Sequence, residues 1–184
     1  MKLQKTIRYL LLAFFIIGCS AKSNTTNIED TIDTREYDYA VSIDIDASKE
    51  KVWNIITDFK NYPKWTSVII MENNDNLEIG KNFDVTIYDI DGSVADNFQA
   101  IVESNNKYQS FSASQTIWTK SFFKATHHFV IKEISKNKIQ FIHKWELEGA
   151  IGYLFESMIF DVLSLFKTMN LELKKEAENN DKRN

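Results

Sequence analysis

The stretch IDASKEKVWNIITDFKNYPKW, Ile45–Trp65, holds a strand end, a helix and a chain break in one short span. Ile45 closes Tyr37–Asp46 (YDYAVSIDID), where apolar and polar residues alternate as on a half-buried strand. Ser48 then offers a hydroxyl to cap a helix, and Glu50 puts a negative charge in the first turn, where the helix dipole favours it. Val52, Trp53, Ile55, Ile56 and Phe59 recur at spacings of three and four, which gives that helix one apolar face. Pro63 disfavours helical geometry at Tyr62, so a break is expected between Asn61 and Trp65.

Downstream, strand-like segments follow one another: Val68–Glu72, Asn82–Ile90, Ser93–Glu103, Tyr108–Trp118, Phe122–Ile134 and Lys138–Glu148. Short polar connections such as Asp91-Gly92 and Ser135 to Asn137 join them, the spacing of an antiparallel meander. From Gly149 to Glu176 no proline intervenes, and Phe155, Ile159, Val162, Phe166, Met169 and Leu173 mark a helical stripe. That stripe must be buried, and the sheet is the only large surface on offer. The fold class is α+β.

With these elements in place, the chain resembles the START-like superfamily, also called SRPBCC or polyketide cyclase/dehydrase and lipid-transport proteins. The resemblance rests on Ile45–Trp53, on Asp58-Phe59-Lys60-Asn61-Tyr62-Pro63-Lys64-Trp65, on Gly80 before a strand, on Phe129–Gly149 and on Leu171–Glu176. It covers about Tyr37 to Glu178. It implies a helix-grip architecture, a curved antiparallel sheet wrapped around the long C-terminal helix with a cavity between them. It does not single out an activity, because the superfamily spans carriers, cyclases and other roles without a shared catalytic signature.

Period two along Lys138–Glu148 turns Ile139, Phe141, His143, Trp145 and Leu147 inward. On the preceding strand His127, Phe129 and Ile131 share one face. A short hairpin loop would set His127 near Trp145 and His143 near Phe129. His143 and His127 are candidates for orienting a ligand carbonyl or hydroxyl, or for moving a proton near neutral pH. Asp96 has the inward parity of Phe98 and is the candidate helper, although it lies close to the Asp91-Gly92 turn. Phe98, Trp118, Phe129, Phe141, Trp145, Phe155, Met158, Ile159, Val162 and Phe166 complete the expected lining. Alternation leaves both faces of Tyr108–Trp118 open, since Ser110, Ser112, Ser114 and Thr116 oppose Phe111, Ala113 and Ile117. No metal is expected: His127 and His128 point to opposite faces and no carboxylate or thiol set completes a shell. No cofactor signature is visible.

The N-terminus begins with Lys2, Lys5 and Arg8 and continues with an apolar run, Tyr9–Ile17, about half of the ~20 residues a membrane span needs. Ile16-Ile17-Gly18-Cys19 resembles the lipobox of bacterial lipoproteins, which implies cleavage before Cys19, the chain's one cysteine, and its lipidation. The expected organisation is a signal peptide over residues 1–18, a lipidated cysteine and flexible tether over 19–34, one domain over 35–178 and a solvated tail over 179–184. The expected location is the bacterial cell envelope, lipid-anchored and extracytoplasmic. A net charge of −4 without a basic stripe argues against nucleic acid as a partner. Aromatics at 13% suit either a filled core or a cavity for an apolar guest. The leading expectation is a monomer that binds or transports a hydrophobic small molecule: a lipid, quinone or polyketide-like compound. A cyclase- or dehydratase-type enzyme and a cavity-free interaction module are the alternatives.

Overall fold

A computed structural model describes residues 38–73, 77–89, 91–150 and 159–179; the expected signal peptide, Cys19, the tether, the tail beyond Asn179, Phe155 and Met158 lie outside them. Seven strands form one antiparallel sheet: β1 (Asp38–Ile45), β2 (Ile69–Glu72), β3 (Asn82–Tyr88), β4 (Val94–Asn106), β5 (Ser110–Ile117), β6 (Phe123–Ser135) and β7 (Lys138–Glu148). Their spatial order is β1-β7-β6-β5-β4-β3-β2, so the first strand pairs with the last and β2–β7 run as a meander. The sheet curls into a half-barrel. Helix α1 (Lys49–Thr57), a 3-10 turn (Phe59–Asn61), α2 (Tyr62–Trp65) and the final helix α3, described over Ile159–Asn179, accompany it. The class is α+β, as the sequence predicts.

Local chemistry explains the elements. The Ser48 hydroxyl accepts from the Lys51 N–H at 3.2 Å, capping α1, and Val52, Trp53 and Ile56 on that helix are buried. Pro63 does not break the chain as expected. Tyr62 is helical and Pro63 lies in the first turn of α2, where a missing N–H costs nothing. The Tyr62 side chain stabilises this corner: fully buried, its hydroxyl donates to the Ile56 carbonyl at 2.7 Å. The core continues through Phe59, Phe83, Phe111, Phe129, Ile139 and Phe141, all buried between sheet and helices.

Helix α3 lies along β1 and is pinned at several points. Glu172 accepts from the Thr66 hydroxyl (2.8 Å), the Ser67 N–H (3.0 Å) and the Ser67 hydroxyl (2.6 Å). Lys174 donates to the Asp44 carbonyl, and Glu178 accepts from the Asp46 N–H. Leu163, Phe166, Met169, Leu173 and Ala177 are buried on its inner face.

Candidate functional site

The register places the two inward histidines as the alternation predicts. His127 is opposite Trp145, and Phe129 is opposite His143. His143 is 1% exposed, its ring stacked on Phe166 of α3 with centroids 3.7 Å apart and against Phe129 at 4.6 Å. His127 lies 6.1 Å from His143 and meets Phe166 edge-on at 5.3 Å. His128, on the outer face, instead contacts Glu146 at 3.0 Å.

Several polar atoms here are buried and unpartnered: both ring nitrogens of His143, Nε1 of Trp145 and Oδ1 of Asn170. Asn170 sits one turn beyond Phe166, and its amide nitrogen donates to the Val41 carbonyl at 3.5 Å. Val41 is the β1 residue paired with His143, which ties Asn170 to the same spot. Burial, with His127 as a lesser cause, holds the His143 pKa well below its ordinary value. Burial, with His128 second, lowers that of His127 to about 4, although the residue as a whole is half-buried and lines the cleft beside it. Both imidazoles are therefore neutral at pH 7 and can each donate and accept one hydrogen bond.

That cleft is narrow, about 20 Å³, and runs along the concave sheet between Ile69, Ile87, Phe98, Gln115, His127 and Phe129. A larger hollow of about 310 Å³ is an open surface dimple by Asn54, Asp58 and Lys60 and contains none of these groups. Among the described residues no three metal-ligating side chains gather at one point.

The structure sorts the expected residues. Phe129, Phe141, His143, Trp145 and Phe166 are buried, Val162 is half-buried beside them, and Phe98 and His127 line the cleft. Ile159 begins the described part of α3. Asp96 is not part of the cluster. It is exposed near the β3–β4 turn, where its carboxylate accepts from the Asn97 N–H, because the inward parity of β4 runs out into solvent there. Trp118 is a second correction. It follows the end of β5 and is 82% exposed, tilted against Phe122 at 4.7 Å, because a turn at φ +62° ends the alternation. Asn170 and Gln115 were missed. A lone amide on an apolar stripe, or at the end of an ambiguous strand, gives no periodic signal.

No family model and no curated protein matches this sequence. Solved structures do. The protein Ms6760 from Mycobacterium smegmatis superposes with TM-score 0.62 at 14% identity, over 84% of this chain and 98% of that one. A START superfamily protein from the same organism gives 0.56 at 16%, over 77% and 97%. The di-domain ARO/CYC StfQ of the steffimycin biosynthetic pathway gives 0.56 at 16%, over 79% of this chain and 52% of that one. At such identities the likeness speaks for architecture, and on that ground the described body has the START-like helix-grip fold.

Proposed function

We propose that the protein binds or carries a hydrophobic small molecule between its sheet and α3, at a membrane to which Cys19 tethers it. The observation that carries the reading is the set of unpartnered polar atoms on His143, Trp145 and Asn170 inside an aromatic wall. An unmade hydrogen bond in such a place costs about 1–3 kcal/mol per group. A guest with a small neutral polar end would relieve that cost while burying its apolar remainder. Because both imidazoles are neutral, an uncharged hydroxyl or carbonyl suits the site better than a carboxylate, whose charge would be desolvated without a cation among the described neighbours. The similarity to StfQ and to the START superfamily protein supports a guest of this class by analogy of fold alone. The cleft reaches His127 and Phe129 but not His143, on which Phe166 is stacked, so a guest must displace Phe166 and its neighbours to meet the unpartnered atoms.

The test is to purify the full chain gently from membranes, extract it with organic solvent and identify what is released by mass spectrometry. A stoichiometric apolar molecule with one neutral oxygen function is the expected result. An empty extract, together with no uptake of radiolabelled long-chain alcohol or ketone, would sink the reading in favour of a filled interaction module. The cyclase- or dehydratase-type reading draws on the two neutral imidazoles 6.1 Å apart, with His143 as base and no role for exposed Asp96. It predicts that His143→Gln retains the guest but leaves it chemically unchanged, where the wild type converts it.

A further inference from the structure

Among the described residues Trp118 is the one exposed aromatic ring. Its indole is 82% exposed, and its φ of +62° is a left-handed conformation that strains a bulky residue. The turn holds it there. The Thr119 N–H donates to the Ile117 carbonyl at 2.8 Å, and the N–H groups of Phe122 and Phe123 both donate to the Thr119 carbonyl, at 2.9 and 3.0 Å. Phe122 lies against the indole from within the turn.

The strand registers fix where this tip stands. Ile117 pairs with Phe123, Lys124 with Glu148, and Glu146 with Asp38. The end of β5, the start of β6, the end of β7 and the start of β1 therefore form one rim. Three strand spacings, about 14 Å, separate the Trp118 turn from Asp38. Val94, 58% exposed, starts β4 on that same rim. Asp38 is also the first described residue of the chain after Cys19.

We propose that Trp118, backed by Phe122 and sharing its rim with Val94, is a docking tip that seats in the interfacial layer of the lipid bilayer carrying Cys19. This rests on the anchored reading above. The length of the connecting segment favours a bilayer over other occupants. From Cys19 to Asp38 the chain advances 19 residues, which spans about 24 Å as a flexible coil and about 65 Å fully extended. The rim that bears Trp118 is thus held within about one protein diameter of the lipid surface, at an effective concentration in the millimolar range. At that concentration a weak contact is enough, and an indole has the amphipathic form that settles at the headgroup level. Charge adds little. Lys120 is in the turn, but Asp91 and Glu148 share the rim and the chain carries −4 overall. Docking is therefore insensitive to salt and to anionic lipid.

The experiment reconstitutes the full lipidated chain in phosphatidylcholine vesicles with brominated acyl chains and reads tryptophan emission. Of the four tryptophans, Trp53 and Trp145 are buried and Trp65 is half-buried. Quenching in the wild type that disappears in Trp118→Ala and persists in the control variant Ile79→Ala, on the opposite rim, supports the tip. An unchanged thermal midpoint shows that Trp118→Ala is folded. Absence of quenching in the wild type, or equal quenching in Trp118→Ala, overturns the proposal, as does cross-linking of Trp118 variants to a second copy with no lipid contact. Mass spectrometry of the N-terminal peptide separates the two readings. An acylated Cys19 with an unquenched, water-exposed Trp118 removes the tip alone, whereas an unmodified Cys19 with no vesicle binding removes the anchor and the tip together.

Discussion

Buried imidazoles such as those of His143 and His127 make the folded state dependent on pH in a definite direction. Both have folded pKa values below that of an unfolded histidine, near 6.5. The unfolded chain therefore takes up protons first as pH falls below 6.5, and stability falls with it, for His127 until about pH 4. The carboxylates lowered by their partners, Glu103 and Glu178, act only below about 4.5, so the window between 6.5 and 4.5 belongs to the histidines. Replacing His143 by Phe should flatten that slope in urea unfolding measured across pH. At pH 7 it should leave the midpoint unchanged or raised, because an unpartnered polar ring gives way to an apolar one. The same variant should retain less guest. His143 could be placed from alternation alone, since five successive odd positions of β7 agree. Asn170 could not, because what makes it notable is a carbonyl on β1, far away in sequence.

At the level of elements, caps and turns decide where each segment stops. Ser48→Ala should cost about 1 kcal/mol in chemical denaturation by removing the α1 cap. Two glycines with positive φ should respond differently to alanine. At Gly92 (φ +81°) a Cβ meets open space, so the cost is the left-handed backbone alone, about 1–2 kcal/mol. At Gly149 (φ +101°) the same atom would sit 2.5 Å from the Phe122 carbonyl oxygen, so β7 must part from the turn before β6. A loss clearly larger than at Gly92, in thermal midpoint, checks this difference. Strand order of appearance was legible because turn residues punctuate the meander. The two faces of β5 were not, since Ser112 and Ser114 are buried on the outer side. There Ser104 contacts Ser112 at 2.7 Å, and Glu103 accepts from Ser114. Burial by neighbouring polar side chains leaves no trace in an alternation pattern. Pro63 misled for a related reason: the tertiary corner built by Tyr62 overrides a local bias.

For the molecule as a whole, the anchored reading makes a plain prediction. Cys19→Ala should move the protein from the membrane to the soluble fraction on cell fractionation, apart from what the Trp118 tip retains. No described helix is long and apolar enough to hold it there by crossing. The overall architecture was legible because strand, helix, meander and final helix appear in the order that the sheet requires. What the sequence could not convey was how closely side chains fill the space between sheet and helix, since the same aromatics serve a cavity or a solid core. One feature of the sheet reaches beyond binding. β1 is made first but pairs with β7, so Val41 waits about a hundred residues for His143. Closing so long a loop slows folding into the millisecond-to-second range. No N-terminal half can be stable by itself, and a chain halted before Lys138 would display the unpaired edges of β1 and β6 together. Its survival during synthesis therefore depends on being kept apart from its own copies until the last strand arrives.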